Sequence, residues 1–178
     1  MVDAFKAFIV IILLVVSFVV YPAYRTADQT DQTAERVAEA ALFTFVDTVR
    51  GKGYIEVRDY DIFLKSLDAT GQTYDVTLEY YKKKLQPNYN GATFQDTFHV
   101  RYDGYFTSEI LGVLYKNDTT TPVDHPDRKV NMYVGDLFNV RIESTGRTLS
   151  SGFKSFLFQT PNIPIVLRYG GMVRSEAP

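Results

Sequence analysis

The sequence predicts an α+β chain in which a long N-terminal helix, apolar in its inner half and amphipathic in its outer half, packs on a small antiparallel sheet with short helices. Three observations carry this. Residues 7–20 read AFIVIILLVVSFVV, with no charge and Ser17 as the single polar residue. Residues 26–50 contain neither Gly nor Pro and space Ala34, Val37, Ala38, Ala41, Leu42, Phe45 and Val49 three and four apart, the stripe of an amphipathic helix. Beyond Gly53 the pattern changes to short alternating pieces of strand character.

The apolar run comes first. Extended through Tyr21, Pro22, Ala23 and Tyr24 it reaches Arg25, and as a helix it is about 27 Å long, enough to cross a hydrocarbon core. An all-round apolar helix at a chain end has little protein to bury it, which disfavours a globular core helix. A cleaved signal is disfavoured too, because neither Tyr21-Pro22-Ala23 nor Arg25-Thr26-Ala27 has small residues at both cleavage positions. The segment is therefore expected to be retained. With Gly51 and Gly53 as the stop, one helix from residue 3 to residue 50 is about 72 Å long. Pro22, which lacks a donor and presses on the carbonyl four residues back, predicts a kink or a local melt. The organisation that follows is residues 1–24 as a membrane or filament-core helix, 25–53 as its amphipathic continuation, and 54–178 as the α+β domain.

In that domain Asp59 is expected to cap a helix through Tyr60, Phe63, Leu64 and Leu67, ending before Gly71. Residues 73–83 alternate, with Tyr74, Val76, Leu78 and Tyr80 on one face, and read as a half-buried strand. Lys82, Lys83 and Lys84 would form its solvated end, discouraging edge pairing. Residues 86–96, QPNYNGATFQD, have loop composition. Thr107-Ser108-Glu109 ahead of Ile110, Leu111, Val113 and Leu114 predicts a short helix, and residues 117–128 a polar exposed loop. Residues 130–134 and 137–144 read as two strands joined in a tight hairpin at Gly135-Asp136. Residues 148–158 are ambiguous between helix and strand, and residues 165–173 read as a final strand interrupted by Gly170 and Gly171.

Chemistry is sparse. Formal net charge is −2, a near balance that argues against a nucleic-acid binder, which normally shows a basic stripe. There is no cysteine, which excludes disulfides, thiolate catalysis and Cys-based zinc sites. His99 and His125 sit in different segments without ligand spacing, and Asp124-His125-Asp127 reads as a solvated turn. No Gly-rich phosphate cradle and no Gly-x-Ser-x-Gly elbow occurs. No enzymatic activity, cofactor or metal is expected. Asn117-Asp118-Thr119 is a glycosylation sequon.

The run at 7–20, Pro22 and the stripe at 34–49 together resemble the type IV pilin superfamily, over roughly residues 1–50. The resemblance implies a structural subunit of an extracellular pilus-like filament, with helices bundled in the core and globular domains outside. It also implies insertion in the cytoplasmic membrane before assembly, with the large domain on the outer side. The partners implied are copies of the chain in a helical filament, the membrane and the pilus assembly machinery, with no nucleic acid. Asp3, Phe8, Ile9, Ile12, Leu13, Val16, Val19 and Pro22 would make the core helix. The family carries a glutamate close to the mature N-terminus, whereas the early acid here is Asp3, two positions nearer the start; it either pairs with a neighbour's terminal amine or sits solvated at the membrane surface. Two alternatives stand beside this: a single-pass, minor pilin-like component of a secretion or conjugation apparatus, and a membrane-anchored surface adhesion module using the loops at 86–96 and 117–128.

Overall fold

The computed structural model describes residues 2–117, 120–146, 148, 151–152, 155 and 164–177. One helical rod runs through α1 (Val2–Val15), a π-helical turn (Val16–Val20) and α2 (Tyr21–Lys52). There follow β1 (Tyr54–Glu56), α3 (Val57–Asp68), β2 (Tyr74–Asn90), β3 (Thr93–Phe106), α4 (Thr107–Leu114), a 3₁₀ turn (Pro126–Arg128), β4 (Lys129–Asn131), β5 (Leu137–Ser144) and β6 (Val166–Met172). The predicted α+β architecture is the observed one.

Pro22 leaves its mark one turn upstream. The Tyr21 N–H donates to the Val16 carbonyl, five residues back, so the turn before the proline widens. Widening relieves the contact between the proline ring and the Phe18 carbonyl, and the rod stays hydrogen-bonded instead of melting.

The spacing of α2 determines what it buries. Ala34, Ala38, Leu42, Phe45, Val46 and Val49 share one face and enter the core. Opposite them lies a four-stranded antiparallel sheet in the order β3-β2-β5-β6, which contributes Leu78, Tyr80, Phe138, Val140 and Ile142. Phe45 is the hinge pin of this packing: it stacks on Phe63 of α3 at 4.5 Å and meets Phe138 of β5 edge-on at 6.1 Å. The helix stops at Gly53, whose φ of 78° is left-handed and whose N–H closes on the Val49 carbonyl at 2.8 Å. A Cβ there would sit 2.7 Å from the Glu176 carbonyl carbon, so the C-terminal strap requires glycine as well.

Several expectations need correction. Asp59 does not cap α3; the N-cap position is Glu56, and Asp59 in the first turn instead holds Lys52 at 2.8 Å. Residues 86–96 are not a loop. They form the outer end of a β2–β3 hairpin, with Pro87↔Phe98, Tyr89↔Phe94 and Asn90↔Thr93 in register and Gly91 at the tip. Pro87 is tolerated because, among the described residues, no strand pairs with β2 on its β5 side beyond Tyr81, where the β2–β5 ladder ends. Lys82, Lys83 and Lys84 consequently lie mid-strand.

The predicted hairpin at Gly135-Asp136 does not form either. β4 pairs with β1 in a separate two-stranded sheet, whereas β5 pairs with β2 and β6. Buried Asp136 explains the jump: its carboxylate accepts from Tyr80 Oη at 2.6 Å, the Lys83 N–H at 2.8 Å and the Tyr133 N–H at 2.9 Å. Those three bonds redirect the chain from one sheet to the other. Gly170 and Gly171 do not break the final strand but lie within β6, where a Cβ on Gly170 would come 2.7 Å from Asn139 Cα. Most of residues 148–158 and two positions of the Asn117 sequon lie outside the described residues; Asn117 itself is exposed.

Candidate functional site: an uncovered helix on a closed domain

The feature that sets this chain apart is the contrast along a single rod. From Asp3 to Lys52 the helix is long and apolar enough in its N-terminal part to cross a membrane, and none of its most apolar window is buried. Phe8, Ile9, Ile12, Leu13, Val16 and Val19 are all exposed, as is Pro22. Among the described residues, no element of the domain covers them. Asp3, predicted as a candidate assembly residue, is exposed and lies 3.7 Å from Lys6 one turn on.

The outer half is anchored at both ends of its buried stripe. Near its start Gln72 Nε2 reaches Asp31 at 3.4 Å, tying the α3–β2 connection to the rod. At its end Arg50, itself buried, donates to the Met172 carbonyl at 2.9 Å and to Asp47 at 2.9 Å. Lys52 follows in the last turn. Its ammonium bridges Asp59 and Glu56, at 2.8 and 3.1 Å, in the first turn and at the N-cap of α3. A cation at one helix C-terminus thus meets two carboxylates at the next N-terminus, the arrangement that both helix dipoles favour. Burial alone would raise the Glu56 carboxyl, but its bond to Lys52 and the charges of Lys52 and Lys129 outweigh that and hold it below its ordinary value. The Lys52 ammonium is moved the other way, upward against its own burial, by Asp59 and Glu56. These contacts fasten the domain to the rod.

The remaining polar clusters have structural work as well. Burial, and then the hydrogen bond and charge of Asp136, push the Tyr80 hydroxyl far above its ordinary value, so it acts as a permanent donor. Arg128, read in the sequence only as part of a polar loop, is buried and donates to the Leu114 carbonyl at 3.2 Å, closing the C-terminus of α4. Nothing in its local sequence distinguished it from a solvated arginine. His125 accepts from the Asp127 N–H through Nδ1 at 3.2 Å, the closed turn that its sequence suggested. Among the described residues no group of three or more His, Asp or Glu side chains is placed to hold a metal ion.

Comparison with protein-family models, curated proteins and solved structures finds no match to this chain.

Proposed function

We propose that the chain is a structural subunit of an extracellular pilus-like filament, resembling type IV pilins, that resides in the cytoplasmic membrane by its N-terminal helix before assembly. The observation that carries the reading is the rod itself, one continuous helix that is a core element over its outer half and bare over its inner half. A bare apolar helix needs lipid or copies of itself, and the two environments correspond to the unassembled and assembled states. Residues 1–24 are the membrane and filament-core segment, 25–53 the continuation that carries the domain, and 54–178 the domain that coats the outside. Asp3, Phe8, Ile9, Ile12, Leu13, Val16 and Val19 make the helix contacts, with Pro22 as the point of altered pitch. Heterologous packing of one helix face on another repeats into an open filament rather than a closed ring. Assembly machinery that extracts the helix from lipid is the further partner this implies.

The test is to shear filaments from the cell surface and identify their subunit by mass spectrometry, expecting this chain. Filaments that persist after deletion of its gene overturn the reading of it as the main subunit. A detergent-extractable monomer without a sheared fraction favours the single-pass secretion or conjugation component.

A further inference from the structure

The β2–β3 hairpin outruns the domain that carries it. β5 accompanies β2 only from Tyr74 to Tyr81, yet β2 runs on to Asn90 and β3 returns from Thr93. The direction of the extension follows from two contacts. β2 begins beside Gln72, which reaches Asp31 low on α2, and its last β5 pairing, Tyr81↔Leu137, is level with the β5–β6 pair Leu137↔Met172, whose Met172 carbonyl meets Arg50 at the end of α2. The free hairpin therefore points past the end of the rod, away from the apolar helix. Residues 82–90 give it a reach of about 30 Å. A lone two-stranded ribbon is marginally stable in water and needs cover.

Polarity inverts where the ribbon leaves the sheet. Within the domain, the β2 face bearing Leu78 and Tyr80 is buried and the opposite face carries Asp75, Thr77 and Glu79. Beyond Tyr81 the face continuous with the core bears Lys82, Lys84 and Arg101, with Lys84 paired to Asp103. The other face carries Leu85, Tyr89, Phe94, Phe98, Val100 and Tyr102, between 38% and 63% exposed, with Lys83 at its base leaning back towards Gly135. At about 200 Å² for each large side chain, that leaves about 600 Å² of apolar surface in water. This lies at the upper end of what a monomer normally exposes and approaches the ~800 Å² one partner contributes to a stable interface.

The geometry points to a second copy of this chain as the occupant: the apolar face of the arm docks in the groove between α2 and α3 of the next copy. That groove has a volume of about 470 Å³ and is walled by Val37, Ala40, Ala41, Ile62 and Phe63. Val37 and Ile62 are exposed in it. No charge has to be buried in the contact: Lys82, Lys84 and Arg101 lie on the opposite face of the arm, and Asp59, the charged residue of the groove wall, is already paired with Lys52. Arm and groove are different surfaces of one molecule, so the contact is heterologous and propagates. It rests on the filament reading, to which it adds a contact between outer domains.

The absence of cysteine makes the test clean. The full-length double variant Phe94→Cys, Ile62→Cys, expressed in its own cells and mildly oxidised, is expected to give a ladder of dimers, trimers and higher multimers on non-reducing gels. Either single variant, with no second thiol at the contact, is expected to give no ladder. Adding Leu85→Ser and Phe98→Ser to the double variant is expected to lower the ladder at least tenfold without altering the thermal unfolding of the purified chain. Filaments seen by electron microscopy with no ladder overturn the arm contact and leave the filament reading standing. No filaments, with the chain wholly monomeric, overturn the filament reading. A missing ladder together with arm-dependent binding to phosphatidylglycerol vesicles overturns this occupant in favour of a membrane surface.

Discussion

The two halves of the N-terminal rod share one backbone and differ in almost everything else. In the outer half the apolar residues take one face, and Leu42, Val46 and Val49 are wholly buried against the sheet. In the inner half apolar residues occupy every face and Leu13 is 61% exposed. The difference teaches that amphipathicity, not apolar content, decides whether a helix belongs to its own domain. A one-sided helix is satisfied by one neighbour, whereas an all-round one needs an apolar medium.

Truncations separate the halves most sharply. Leu42→Ala removes a side chain from the centre of the core and is expected to cost about 2–5 kcal/mol, a large part of a domain's usual ~5–15 kcal/mol. Leu13→Ala is expected to leave domain stability within about 0.5 kcal/mol and to reduce filament yield instead. Denaturant unfolding of both variants in detergent micelles, beside filament counts, checks this. Equal destabilisation by the two would erase the distinction.

The outer half also depends on how the sheet is tied together. Asp136→Ala strands the Lys83 and Tyr133 N–H groups and the Tyr80 hydroxyl, and is expected to cost about 1–3 kcal/mol by urea unfolding. An unchanged midpoint would mean that water replaces the carboxylate. No corresponding polar hub exists among the described residues of the inner half, where the ion pair of Asp3 and Lys6 is exposed.

The joint between rod and domain gives a smaller effect with a definite sign. Glu56 is held below its ordinary value in the folded chain, so its contribution is fully present above the unfolded value and is lost as pH falls through the folded one. Acidification below about pH 4 is thus expected to remove at most about 1 kcal/mol, as befits a partly exposed bridge. Glu56→Gln should make the melting temperature less sensitive between pH 5 and 3, by about that same fraction. Equal acid sensitivity in wild type and variant would exclude Glu56 from the joint.

How far the sequence could be read follows the same division. Most of the rod is readable, because helical periodicity and unbroken apolarity are local signals: spacing alone puts Ala34, Ala38, Leu42, Phe45 and Val49 on the buried face, although Val37 of the same stripe is exposed and Val46, outside it, is buried. The half-buried alternation of β2 was readable for the same reason. The arm was not. Its residues 86–96 combine Pro87, two Asn and Gly91, which locally read as loop, and only pairing with β3 makes them strand. Gly135-Asp136 misled in the opposite way, since a good hairpin turn was overridden by a buried carboxylate, two of whose three partners lie more than fifty residues away. Arg128 and Lys52 likewise act through partners that the topology supplies. The uncovered helix, as the candidate site, was visible in composition; what fastens the domain to it was not.

The smallest expected effect on domain stability is the most telling about the rod. Pro22 sits at the boundary between the halves, just after the turn that widens to let its ring pass. Pro22→Ala restores a donor and removes the clash, so the five residues Val16–Val20 are expected to return to ordinary α geometry. No core residue lies within that turn, and the unfolding midpoint of the domain should not move. The change should appear instead as slower amide hydrogen exchange at residues 18–21 in micelles, because each of those amides then closes on a carbonyl four residues back. Losing one π turn also rotates the inner half relative to the outer half, since the extra residue in the wide turn is absorbed. If the inner half packs only against lipid, that rotation costs nothing and the chain assembles or inserts as before. If it packs against copies of itself while the domain is held by its own neighbours, the rotation breaks the match and filaments shorten or vanish. An unchanged filament length alongside slowed exchange would therefore show that the two halves are not held in fixed register by assembly.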